Sequence, residues 1–191
     1  MSDAIDLAGH DLLALSRPTL RALIGAALHD AASVAPALQE AGYAGGDAVF
    51  AAFRDWLLAR EHREPDTLTL PEFETFASEY FRAAGWGVVS IGTLQDAVAT
   101  VDCAEWGESE PAAELEHPAC HLTTGMFANF FGHLSDGPLA VLEVECRSMG
   151  APRCRFLLGA GDVMTAVYEA MAQGAGYEEA VGGIESEKAR V

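Results

Sequence analysis

Along the first half of the chain, apolar positions recur at intervals of three and four residues. Val49, Phe50, Phe53, Trp56 and Leu57 fall into one stripe, the spacing of an amphipathic helix. Upstream, Ser16 as a cap and Pro18 in a first turn open a run of leucines at helical intervals. Residues 35–61 read as two helices broken by the glycines from Gly42 to Gly46. The polar linker REPDTLTL leads to another helix, which starts at Pro71, lines up Phe73, Phe76, Tyr80 and Phe81, and stops at Gly85. From Trp86 the period shortens to two. WGVVSIGTL and DAVATVDCAEW are alternating and rich in β-branched residues, which predicts a hairpin turning near Gln95 and Asp96.

GESEPAAELEHP then reads as an exposed acidic loop. CHLTTGMFANFFGHLSDG predicts a short helix capped by Thr123 or Thr124, with Met126, Phe127, Phe130, Phe131 and Leu134 covering most of its surface. Gly125 and Gly132 weaken that helix, so they mark places where a backbone or a ligand comes close. A second hairpin follows, PLAVLEVECRSM and RCRFLLG around the turn GAP. The amphipathic helix DVMTAVYEAMAQG and a polar tail close the chain. The expected class is α+β: N-terminal helices packed on an antiparallel sheet of about four strands, with a C-terminal helix.

Charge removes some functions. Eleven basic residues against 29 acidic ones give a net charge of −18, a field that repels nucleic acid and anionic lipid. No run of about 18 uncharged apolar residues exists to insert in a membrane. The acidic start MSDAIDLAGHDLLAL lacks the basic opening of a secretory signal, so the expected location is cytoplasmic.

In that setting the four cysteines, Cys103, Cys120, Cys146 and Cys154, are expected as thiols or metal ligands rather than disulfides. Cys146 and Cys154 sit on the two arms of one hairpin around Gly150, and Cys120 opens the preceding helix. Three thiols and one carboxylate, from Glu143 or Glu145, satisfy the four donors of a structural zinc. Strand alternation places both glutamates on the face opposite Cys146, so a bulge or twist has to rotate one of them. Spacing does not choose between them, and buried thiols or a redox pair remain open alternatives at this level. No C-x-x-C occurs.

The segments GWGVVSI, PACHLTTGMFANFFGHL and LEVECRSMGAPRCRF resemble the 4-vinyl-reductase domain over about residues 45–160. That family includes the sensor half of bacterial activators responding to phenols and other aromatics, and is related to subunits of vesicle-tethering complexes. The run C-x25-C-x7-C, with Glu three residues before the middle Cys, is its specific part. The resemblance implies a structural zinc on Cys120, Glu143, Cys146 and Cys154, and a cavity for a small hydrophobic, aromatic or tetrapyrrole-like ligand between helices and sheet. Candidate wall residues are Phe76, Tyr80, Trp86, Trp106, Phe127, Phe130 and Phe131. It also implies a homodimer through residues 1–45, where TLRALIGAALHDAA offers an apolar face, a ligand-binding domain over 46–160, and a helix with tail over 161–191.

Cys103 is expected in the core; His117, His121 and His133 are expected as surface or hydrogen-bonded residues, with His121 the one substitute donor worth testing. No phosphate-cradling loop, G-x-S-x-G, H-E-x-x-H or G-x-G-x-x-G occurs, so catalysis has little support. The expected function is a zinc-braced sensor or carrier. The alternatives are an accessory or catalytic subunit of a vinyl reductase in chlorophyll-type synthesis, and a non-catalytic assembly scaffold.

Overall fold

A computed structural model describes residues 4–27, 31–95 and 97–188 of the chain. Helix α1 spans Arg17–Ala27, α2 Ala31–Glu61 and α3 Leu70–Ala83. The hairpin β1 Val89–Gln95 and β2 Val98–Cys103 follows, then α4 His121–Gly132. A second hairpin, β3 Leu139–Glu145 and β4 Cys154–Ala160, leads into α5 Gly161–Ala172 and α6 Tyr177–Lys188. The strands form one antiparallel sheet in the order β1-β2-β4-β3. This is the expected α+β architecture. Asp96, at the expected first turn, lies outside the described residues.

The sheet separates two apolar layers. On one face Phe53, Trp56, Leu57, Phe81, Phe127 and Phe130 pack with Val101 and Phe156 of the strands. On the other, Val98 and Leu157 meet Val163, Met164 and Val167 of α5 and Ala180 and Val181 of α6. Phe156 and Leu157 are neighbours in β4 and enter opposite layers, as the two-residue period of a strand dictates. Among the described residues no helix is long and apolar enough to cross a membrane.

Four local expectations are corrected. The glycines from Gly42 to Gly46 do not break a helix; α2 runs continuously through them. A Cβ on Gly42 would collide with the Leu122 carbonyl, and one on Gly46 with the Asn129 side chain. On α4, a Cβ on Gly125 would collide with the Gln39 carbonyl. These glycines let α2 and α4 approach closely, and that packing compensates for their poor helix propensity. Gly132, by contrast, faces open space, so no close approach explains it.

The cap of α4 is Cys120 rather than Thr123 or Thr124, which lie inside the first turn. The loop after β2 is only partly exposed: Glu114, Leu115 and Glu116 are exposed, but Glu108 and Ser109 are buried. The expected polar tail contains α6, because Ala180 and Val181 complete the layer begun by α5. Elsewhere the expected boundaries hold. Thr69 and Glu72 form a capping box at the start of α3. Gly85, at φ 85°, ends that helix while the amide of Trp86 donates to the Phe81 carbonyl at 2.9 Å.

Candidate metal centre and cavities

Three chain segments converge at one edge of the sheet. Cys120 caps α4, Glu143 lies on β3, Cys146 follows β3 directly, and Cys154 opens β4. The two glutamates are separated by a bulge: Glu143 pairs with Phe156 and Glu145 with Arg155, so two steps on β3 meet one step on β4. The extra residue breaks the alternation. Glu143, 7% exposed, turns to the side of Cys146, whereas Glu145 turns away and accepts a hydrogen bond from the Tyr177 hydroxyl at 2.7 Å. Arg153 lies 3.1 Å from the same Glu145 carboxylate.

The donor atoms of Cys120, Glu143, Cys146 and Cys154 all lie within 4.8 Å of one another. The Cys120 sulfur is 4.0 Å from that of Cys146 and 3.7 Å from that of Cys154. A tetrahedral zinc with Zn–S bonds of about 2.3 Å places its sulfurs about 3.8 Å apart. The carboxylate fits as well. Glu143 Oε2 accepts the Cys120 amide at 2.9 Å, while Oε1 is buried with no hydrogen-bond partner. A buried oxygen left in that state is costly unless something else satisfies it.

Protonation is divided unevenly within the cluster. Hydrogen bonds from Cys120 and Cys154, then the amides of Ala119 and Ser148, hold the Cys146 thiol far below its ordinary value. Burial, followed by the charge on Cys146, pushes the Glu143 carboxyl up. The Cys120 thiol is pushed up by donating to Cys146 and Cys154 and by burial. Several anions crowd one small space, the arrangement a divalent cation relieves. Four protein donors fill a tetrahedron, so an ion here braces the fold.

The other candidate donors lie elsewhere. Cys103 pairs with Cys154 across β2 and β4 and is fully buried, with its thiol pushed up by burial. His121 flanks the cluster without joining its donors, and burial lowers its pKa. His117 is exposed. His133 stacks on Phe50 at 4.3 Å, and its Nε2 lies 2.9 Å from Asp47.

Two cavities lie on the helical side. One, of about 390 Å³, sits between α3, the end of α4 and the sheet, and is lined by Phe73, Ile91, Val101, Phe131, Leu134 and Leu158 among others. The second, of about 490 Å³, lies beneath the N-terminal segment and is lined by Ile5, Leu12, Leu20, Val49, Tyr80 and Trp86 among others. The seven candidate wall residues are thus divided. Phe131 faces the first chamber, and Tyr80 and Trp86 the second. Trp106, Phe127 and Phe130 line neither; they are buried in the aromatic core, where Phe127 lies 5.2 Å from Phe156 and 5.3 Å from Trp106. Phe76 is partly buried against the same core.

The sequence reading overlooked Glu108. Its carboxylate accepts the amides of Leu122 at 2.9 Å and Thr123 at 2.8 Å, so it caps α4 from outside the helix. One glutamate in an acidic loop carries no local sign of that role; a buried partner at the start of a helix is visible only in three dimensions.

No curated protein matches the chain. Solved structures share its fold at low identity. The phenol-responsive sensory domain of the transcription activator PoxR, with phenol, is 15% identical with a TM-score of 0.55, covering 78% of this chain and 76% of that one. A trafficking protein particle complex subunit 3 from Naegleria fowleri, covalently bound to palmitic acid, is 11% identical with a TM-score of 0.53, covering 75% of this chain and 91% of that one. A vinyl-4-reductase family protein from Methanocaldococcus jannaschii is 18% identical with a TM-score of 0.46, covering 63% of this chain and 66% of that one, just under two thirds of its length. The family resemblance read from the cysteine and glutamate spacing is borne out on the segment that supplies all four donors: residues 103–160 match the vinyl-4-reductase (V-4-R) domain.

Proposed function

We propose that this chain is a sensor or carrier domain that binds a small hydrophobic, aromatic molecule and is braced by a structural zinc. The observation that carries the ligand half is the apolar chamber of about 390 Å³ between α3, α4 and the sheet. Its volume is near the lower end of the roughly 300–1,000 Å³ typical of small-molecule sites, which suits one or two rings better than a macrocycle. Asp66 and Ser135 supply polar groups to an otherwise apolar wall. The match to the vinyl-4-reductase domain, and the fold shared with a phenol-responsive sensory domain, support small-ligand sensing.

The zinc half rests on the four converging donors. Bound there, the ion ties the start of α4 to both arms of the β3–β4 hairpin. Helix α4 then has its first residue beside the metal centre, while Phe131 near its last turn lines the chamber. A ligand pressing on Phe131 and Leu134 acts on a helix whose other end is anchored. Zinc would thus give the chamber wall a fixed reference.

A homodimer belongs to the same proposal, since Leu13, Leu15 and Leu23 around α1 are exposed. Residues 28–30 of the expected dimer face lie outside the described residues. An acyl carrier with a thioester link receives no support from these cavities, because no cysteine lines either one.

Native mass spectrometry of the purified chain tests the reading. One zinc per chain, a dimer mass and a retained or added phenol are expected. A metal-free chain overturns the zinc half. For the ligand half, phenol and toluene should raise the wild-type melting temperature but not that of Ala99→Phe, which fills the chamber. Equal shifts in both proteins would remove the chamber as the site.

A further inference from the structure

We infer that Glu108 is a positioning residue of the metal centre, holding Cys120 in place by gripping the first turn of α4. This rests on the zinc reading above and adds a residue outside the donor set. Helix α4 has no acidic residue in its own first turn, and its N-cap Cys120 makes no side-chain capping bond. Glu108 supplies both functions from the loop after β2. It is 5% exposed; Oε1 accepts the Leu122 amide at 2.9 Å, and Oε2 accepts the Thr123 amide at 2.8 Å. The Thr123 hydroxyl also donates to Oε2 and accepts from Trp106 Nε1 at 2.7 Å. First-turn amides have no partners within their own helix, and the partial positive charge there favours a carboxylate.

The same loop also grips the second sulfur-bearing segment. The Glu110 amide donates to the Ser148 hydroxyl at 2.9 Å, and the Leu115 amide to the Ser148 carbonyl at 2.7 Å. Ser148 is buried in the turn after Cys146, whose carbonyl accepts the amides of Met149 at 3.0 Å and Ala151 at 3.2 Å. Residues 106–115 therefore strap the start of α4 to the turn after β3, the segments that bring Cys120 and Cys146 within 4.0 Å. Groups that orient metal ligands in this way commonly alter affinity roughly 10- to 100-fold when removed.

The test is zinc affinity of the full chain by chelator competition, the absorption spectrum of the cobalt(II)-loaded chain, and far-UV circular dichroism as the folding control. Glu108→Gln is expected to weaken zinc about 10- to 100-fold and to change the cobalt ligand-field bands, with helix content retained. Glu110→Gln removes the same charge from the same loop, at a carboxylate paired with Arg21 at 2.9 Å, and is expected to bind like wild type. Thr123→Val is expected to weaken zinc in the same direction, and Thr123→Ser to restore it.

Wild-type affinity in Glu108→Gln overturns the inference. So does an equal loss in Glu110→Gln, which would make the effect one of charge at a distance. If Glu108→Gln does not fold, the Thr123 pair decides, and equal affinities for Val and Ser overturn the proposal. A wild-type chain that takes up neither metal overturns the zinc reading and this inference together. That result is distinct from a wild type that binds and a Glu108 variant that binds equally well.

Discussion

Gly42 of α2 lies directly against the carbonyl of Leu122 in the first turn of α4, with no room for a methyl group between them. The contact joins the longest helix, of 31 residues, to the helix that carries Cys120. A side chain at Gly42 must push apart two backbones, neither of which can rotate out of the way.

That relationship predicts opposite effects from two substitutions on one helix. Gly42→Ala is expected to destabilise the protein by about 1–3 kcal/mol through overpacking. Gly45→Ala, where a Cβ meets nothing within 4 Å, is expected to be neutral or to stabilise by up to about 1 kcal/mol through better helix propensity. Thermal melts of both check this; at this chain length 1 kcal/mol corresponds to roughly 2–4 °C. Similar melting temperatures for the pair would refute the close-approach explanation.

The bulge on β3 predicts which glutamate matters to the metal. Glu143→Gln and Cys146→Ser should each lower bound zinc, and Cys146→Ser should lower the melting temperature by several degrees, because structural zinc binding is coupled to folding. Glu145→Gln should leave zinc content unchanged while weakening the contact with Tyr177. Elemental analysis distinguishes them, and zinc loss from Glu145→Gln alone would reverse the assignment.

The aromatic core predicts a large cost for truncating Phe127. Its ring lies 5.3 Å from Phe131 and 5.8 Å from Phe81, in addition to its contacts with Phe156 and Trp106. Phe127→Ala is expected to cost about 3–5 kcal/mol, with Phe127→Leu substantially milder. Urea unfolding of the two variants measures the difference. A cost below about 1 kcal/mol would instead suit a ring facing an open pocket.

At the start of α3, Glu72 makes stability depend on pH. The Arg63 guanidinium beside it, and then the amide and hydroxyl of Thr69, hold its carboxyl down at about 2, against an ordinary value of 4.5. A carboxylate lowered on folding stabilises the protein fully above the ordinary value and loses that contribution as pH falls toward the folded one. Wild type should therefore melt above Glu72→Gln at about pH 6, with the gap narrowing progressively between about pH 5 and pH 2. A gap independent of pH would show that hydrogen-bonding geometry alone, without ionisation, sets the effect.

Short-range order settled much of this protein before any packing was known. The periods of three to four and then two residues set the order of helices and hairpins, and Gly85 marked the end of α3 where a left-handed residue was required. The spacing of Cys120, Cys146 and Cys154 set the candidate centre, because two hairpin arms and a neighbouring helix start can bring their sulfurs together. Other features depended on contacts distant in sequence. Gly42 reads as a helix breaker until Leu122, 80 positions along, is seen against it. Glu108 reads as one more solvated acid until the amides of Leu122 and Thr123 reach it. Alternation placed Glu143 and Glu145 on one face, and only the slipped register against Phe156 and Arg155 separated them. Local periodicity reports which face an element can bury; it does not report what arrives on that face, and close approach, buried capping and strand slippage are all properties of what arrives.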